Sequence, residues 1–244
     1  HNIFDGIASI INNENRCIRL MTALDDEHFS SENITVKNSP LGSNTIGLYS
    51  TCDSIAHTTF QLENWTVENN LISSSENYGG SGITIRIYVT GDDYFDTITF
   101  SKCIFRGNRV IAKQASARQL KDDPDGKGGA FKSKDRSNIN FIDCIFIDNQ
   151  ADNEGGALSI ENGKNWVIDR CTFIDNYAHK EGGAIQILNS GTTTITNCYF
   201  DTNYAANGHA ISSQLKTGAR GTVIINSNNT FINNGGNKGS SIYI

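Results

Sequence analysis

The residues able to do chemistry are few. Five histidines (His1, His28, His57, His179 and His209) sit at unrelated positions, and no Ser-His-Asp order can be argued from them. Six cysteines show none of the paired spacings of a zinc or redox site. The acidic run Asp122-Asp123-Pro124-Asp125-Gly126-Lys127 is the best candidate for a carboxylate centre. A glycosidase needs two carboxylates across a cleft, and a lyase needs a calcium-binding carboxylate set with a basic residue. The run lacks the calcium-loop pattern and its closing Glu, so it reads as a solvated loop. Asp148, Asp175 and Asp201 recur at corners, and a recurring position argues for structure rather than a unique site. No catalytic residue, metal site or cofactor follows from this set. Three N-glycosylation sequons remain: Asn33-Ile34-Thr35, Asn64-Trp65-Thr66 and Asn228-Asn229-Thr230. They act only in a eukaryotic secretory pathway.

The chain that must position these residues is built for strands and turns. Its 244 residues include 31 Ile against 10 Leu, with 29 Asn, 23 Gly and only 2 Pro. Ile over Leu favours strands, and so much Asn and Gly suggests tight turns using left-handed backbone. The formal charge of −6, with no basic block, argues against a general nucleic-acid binder. No apolar run approaches the roughly 18 residues of a membrane-spanning helix. The start at His1 shows no basic-plus-apolar leader, so the chain reads as a piece of a larger protein.

The main signal is an internal repeat. Cys144-Ile-Phe146-Ile-Asp-Asn149 is followed by Gly155-Gly156-Ala157-Leu158. Cys171-Thr-Phe173-Ile-Asp-Asn176 is followed by Gly182-Gly183-Ala184-Ile185, and Cys198-Tyr-Phe200-Asp-Thr-Asn203 by Gly208-His209-Ala210-Ile211. Upstream, Cys103-Ile-Phe105-Arg-Gly-Asn108 pairs with Gly128-Gly129-Ala130-Phe131. Trp65 to Asn70, Ile34 to Val36 and Asn229 to Asn234 are weaker copies. The cysteine-like positions fall 31, 38, 41, 27, 27 and 31 residues apart, which suits one coil of a parallel β-solenoid.

Each unit carries three short strand-like stretches. None can bury its face alone, and stacking coil on coil closes a tubular core. Phe and Cys form interior columns. The Asn is expected at the corner leaving the second strand, where it tolerates positive φ and can form a ladder of amides. Gly-Gly-Ala fits a tight corner where coils approach closely. The cysteine column has three open readings: free thiols, disulfides between neighbours such as Cys144 and Cys171, or metal. Stacked coils lie about 4.8 Å apart. That permits a disulfide by distance, though parallel Cβ directions oppose it, and a line of sulfurs lacks tetrahedral convergence. Cys17 and Cys52 lie outside the column. The Phe-to-Ala spacing is 11 from Phe146 to Ala157 and from Phe173 to Ala184, and 10 from Phe200 to Ala210, but 25 from Phe105 to Ala130. An inserted loop is therefore expected at about 111–124, beside a locally basic stretch.

Paired Phe-x-x-Asn and Gly-Gly-Ala-Ile motifs resemble the polymorphic outer membrane protein repeats of chlamydial autotransporters and similar adhesin-like surface proteins. The resemblance is strong from Ile98 to Ile244 and weak from Ile34 to Ile98. It implies a right-handed parallel β-helix, an extracellular or cell-surface location and an adhesive role. The adhesion-linked positions it implies are Phe105, Asn108, Gly128, Gly129, Ala130, Phe146, Asn149, Gly155, Gly156, Ala157, Phe173, Asn176, Gly182, Gly183, Ala184, Ile185, Phe200 and Asn203. His209 and Ser240-Ser241 depart from the Gly-Gly-Ala pattern.

The expectation is one all-β domain over 1–244: a parallel β-helix of seven or eight coils, three strands per coil. Its expected role is non-enzymatic, with a host-cell or neighbouring-cell receptor or glycan as partner. Self-association through the solenoid ends is also expected, as is membrane contact only through parts outside this chain. The alternatives are a carbohydrate-active enzyme on the same fold and a self-associating structural spacer.

Overall fold

A computed structural model of the chain describes residues 2–4, 8–11, 18–22, 28–38, 46–50, 59–74, 83–87, 97–112, 126–133, 138–188, 191–214, 221–236 and 240–244. Among these residues the architecture is all strand, and every ladder is parallel. Sheet A stacks Asn2–Phe4, His28–Glu32, Thr59–Glu63, Thr97–Ser101, Asn138–Ile142, Asn165–Asp169, Thr192–Thr196 and Thr222–Ile225. Sheet B stacks Ala8–Ile11, Ile34–Lys37, Thr66–Glu68, Ile104–Arg106, Ile145–Ile147, Thr172–Ile174, Tyr199–Asp201 and Thr230–Ile232. Sheet C stacks Ile18–Thr22, Ile46–Ser50, Ile83–Ile87, Phe131–Ser133, Leu158–Glu161, Ile185–Leu188, Ile211–Gln214 and Ile242–Tyr243. The chain visits A, B and C in turn, so each strand bonds to its equivalent one coil away. This is a parallel β-solenoid. The last five turns, from Thr97 to Tyr243, carry the most fully described side chains.

The expectation of three strands per coil is incomplete. A fourth sheet, D, lies between B and C and stacks Leu71–Ser74, Arg109–Ala112, Gln150–Ala151 and Tyr177–Ala178. These strands are short and alternate apolar with polar only once or twice. Val110, Ala151 and Ala178 face inward and are fully buried. Two-residue strands carry too little alternation to stand out from a turn.

Strict alternation builds the rest. Sheet A strands such as Thr97–Ser101 and Thr192–Thr196 bury every second side chain. Phe100 stacks on Phe141 at 4.9 Å, and Phe141 meets the edge of Phe146 across the tube at 5.4 Å. The core is therefore a set of side-chain columns running along the axis, with Trp166, Phe131 and the isoleucines filling the space between them.

Candidate functional site

The Phe-x-x-Asn motif faces the interior. Phe105, Phe146, Phe173, Phe200 and Phe231 form one column with ring centroids 4.7–4.8 Å apart and nearly parallel planes. Val67 and Val36 continue it below Phe105. Beside this column runs an amide ladder. The Nδ2 of Asn70, Asn108, Asn149, Asn176 and Asn203 each donates to the Oδ1 of the next Asn, ending at Asn234, over 2.9–3.0 Å. The second hydrogen of each amide goes to a carbonyl of the coil below, as from Asn149 to Phe105 and from Asn176 to Phe146.

These asparagines do not take the left-handed backbone expected of them. The residue before each does: Asn69, Gly107, Asp148, Asp175, Thr202 and Asn233 all have φ between 52° and 61°. The strain of the corner falls on an exposed or half-buried residue, which frees the Asn side chain to point inward. Asp148 and Asp175 are thus turn formers, while Asp201 ends a sheet B strand.

The Gly-Gly-Ala triplet is a close-packed corner. The first glycine, at Gly128, Gly155, Gly182 and Gly208, has φ from 56° to 69°. The second meets the coil above. A Cβ on Gly129 would lie 2.1 Å from Gly156 O, one on Gly156 2.0 Å from Gly183 O, and one on Gly183 2.0 Å from His209 O. Ala130, Ala157, Ala184 and Ala210 are fully buried, as is Ile185 after the third triplet. His209 stands where Gly183 stands one coil lower, and its ring packs against Gly236. The adhesion-linked positions that the resemblance implies are therefore interior or backbone-packed ones.

Cys103, Cys144, Cys171 and Cys198 are buried free thiols. Each Sγ donates to a carbonyl of the coil below, as from Cys103 to Leu62 at 3.3 Å and from Cys144 to Phe100 at 3.4 Å. Burial raises the Cys103 and Cys171 thiols, while hydrogen bonds from neighbouring thiols pull Cys144 and Cys198 down, so the inertness of the column rests on its burial from solvent. Asn229 replaces the next cysteine, and its Oδ1 accepts the Cys198 backbone N–H at 2.8 Å. No cluster able to hold a metal exists among the described residues. Cys17, Cys52, His1, His57 and the run Asp122 to Asp125 lie outside the described residues.

Outward charged side chains converge in two places. At the corner between sheets A and B, Arg170 bonds Asp143 at 2.7 Å and also Asp169, which accepts from Thr196 and Asn197 at 2.8 Å. The other is the lateral face that leads into sheet C. Immediately before the Gly-Gly pairs, Lys127, Glu154, Glu181 and Asn207 form a column, with Glu154 bridging to Glu181 and Glu181 to Asn207. The Lys127 ammonium reaches Glu154 at 2.9 Å and Glu161 at 3.2 Å, all three side chains being 11–14% exposed. Burial opposes the charge on Lys127, and the Glu161 and Glu154 carboxylates outweigh it, so its pKa lies above the ordinary lysine range. Glu181 accepts from Ser212 Oγ at 3.1 Å and Gln214 Nε2 at 2.8 Å. Beneath them, the middle residues of the sheet C strands, Lys132, Ser159, Gln186 and Ser212, are buried and polar, with Ser159 Oγ donating to Gln186 Oε1. Glu154, Glu161 and Glu181 went unremarked in the sequence. The sign reversal from Lys127 to Glu154, one coil apart at the same repeat position, was the available signal.

The residues that flank the insertion border this same face. Ala112 ends a sheet D strand, and residues 113–125 lie outside the described set. Both ends of the excursion are pinned at one neck. A Cβ on Gly126 would lie 2.9 Å from the Ala112 Cβ. The Ala112 N–H donates to Asp152 Oδ2 at 3.0 Å, and Gly126 O accepts from the Asn153 N–H at 2.8 Å. The two ends that flank the insertion therefore lie side by side, and the loop expected at 111–124 falls, beyond Ala112, outside the described residues.

Columns of stacked Phe, Cys and Asn within parallel sheets define a parallel β-solenoid of the repeat class. Residues 143–161 and 170–187 match the Chlamydia polymorphic membrane protein repeat, and these two stretches are repeats of that type. No curated protein and no solved structure matches the chain.

Proposed function

We propose that the chain is a non-enzymatic, extracellular adhesive module that binds a receptor or glycan through its sheet C face and the insertion rooted there. The repeat type supports a cell-surface setting. The observation that carries the binding reading is the neck at Ala112 and Gly126. It roots the longest excursion between a Phe and its following Gly-Gly-Ala in the cysteine-bearing repeats beside a lateral face where Lys127, Glu154 and Glu161 converge. The Phe-x-x-Asn and Gly-Gly-Ala motifs contribute indirectly, because their side chains are spent on packing.

The test is deletion of residues 112–125, which restores the Phe-to-Ala spacing of 11 found one coil later. Binding to intact cells should fall at least tenfold while the β-sheet circular dichroism is kept. Undiminished binding removes the insertion from the account.

The carbohydrate-active reading draws on Glu154, Glu161 and Glu181 sharing one face. Glu154 and Glu161 are both engaged by Lys127, an arrangement that uses them for structure rather than leaving one as a proton donor. Release of reducing or unsaturated ends from acidic or neutral polysaccharides, abolished by Glu154→Gln, would establish it instead.

A further inference from the structure

The corner between sheets A and B is one row of residues, each just before the cysteine column: Asn33, Asn64, Lys102, Asp143, Arg170, Asn197 and Asn228. Most of this row is tied down. Lys102 pairs with Glu63 at 2.7 Å, Arg170 with Asp143 at 2.7 Å, and Asn197 Nδ2 donates to Asp169 at 2.8 Å. Asn33 and Asn64 differ. Their backbone N–H groups are fixed on Glu63 O and Ser101 O at 3.1 and 3.0 Å, and φ is 60° and 54°. Their side chains are exposed, with no side-chain hydrogen bond among the described residues. Asn228, also exposed, stands above Asn197 and touches it through one bond of 3.2 Å. All three sequons therefore fall on one corner. Their threonines, Thr35, Thr66 and Thr230, sit at equivalent register positions of sheet B, as the second residue of Ile34–Lys37 and the first of Thr66–Glu68 and Thr230–Ile232.

We infer that this corner is a glycan-bearing ridge, with Asn33, Asn64 and Asn228 as N-glycosylation acceptors. The donor is a lipid-diphosphate-linked oligosaccharide. The Asn Nδ2 forms a bond to the anomeric carbon, the lipid diphosphate leaves with the electrons of the broken C–O bond, and the amide proton passes to the transferase. The inference does not depend on the sheet C face binding anything.

The 244-residue chain is expressed behind a secretion signal in a eukaryotic host. Secreted and retained pools are both treated with peptide N-glycosidase in heavy-oxygen water and mapped by mass spectrometry, so failed secretion still gives an answer. Labelled aspartate is expected at the three positions. Thr35→Ala, Thr66→Ala and Thr230→Ala should each remove one glycan step while keeping the Asn in its turn. Majority occupancy at two or more sites supports the ridge, and occupancy at fewer overturns it.

Discussion

The Nδ2 of Asn149 lies 3.0 Å from the Oδ1 of Asn176, 27 residues further along the chain. The same oxygen accepts the Asn149 backbone N–H at 3.1 Å. Repeated from Asn70 to Asn234, this pairing gives an amide row in which all dipoles point the same way. Inside a protein such a row is strong only if every member is satisfied. Each inner amide meets that condition, using two donors and two acceptor sites.

Breaking the row in its middle should be costly. Asn176→Ala strands two donors of Asn149 and the Phe146 carbonyl, and a loss of about 3 kcal/mol is expected in urea unfolding. Asn176→Asp should lose more at pH 7, because its carboxylate faces the Asn203 Oδ1 and the Phe146 carbonyl. That aspartate is held above its unfolded pKa, so the extra loss should shrink as pH falls through the raised folded value and be gone below about 4. Equal stability of the two variants at pH 7 would contradict this account of the row.

Phe173→Ala removes a ring stacked on both faces, by Phe146 and Phe200. A loss of about 3–5 kcal/mol is expected, against about 1–2 for Phe173→Leu. Thermal unfolding of the two variants separates a packing role from a direct binding role. Weaker cell binding by Phe173→Leu at unchanged stability would show that the motif touches ligand.

Gly156→Ala places a Cβ against Gly183 O and the Tyr177 backbone, which belong to the rigid coil above. More than about 2 kcal/mol should be lost. Gly235→Ala meets nothing closer than 3.9 Å and should change the melting temperature little.

Lys127 links charge to pH. Its folded pKa lies above the unfolded value, so its stabilisation is complete below about pH 10.4 and is lost as pH rises through the folded value. Lys127→Met should cost about 3 kcal/mol at pH 7 because it strands Glu154 and Glu161. The difference from the parent chain should narrow only in strongly alkaline denaturation curves.

The cysteine column should be silent in the folded state. Cys103, Cys144, Cys171 and Cys198 should resist a thiol reagent under native conditions and react on unfolding in guanidinium. Mass spectrometry without reductant should find no disulfide among these four. A Cys144–Cys171 bridge would revise the column.

Local pattern was enough to reveal the coils. Cys144-x-Phe146 and Ile195 repeat with period two inside a period near 27, and only stacking can bury faces so short. The repeat type was legible for the same reason, because it is a spacing along one chain. What the sequence hid depends on neighbours a coil away. Sheet D was invisible because Gln150–Ala151 is two residues long and gains its partners only from Arg109–Ala112 and Tyr177–Ala178. The left-handed corner fell on Asp148 rather than Asn149, since an amide fully bonded to Asn108 and Asn176 must point inward. Lys127 meets Glu154 and Glu161, and three sequons share one corner, only because winding brings residues about 27 to 41 apart into register. Chain order sets which side chains exist at each step, and the register of the stack decides which of them touch.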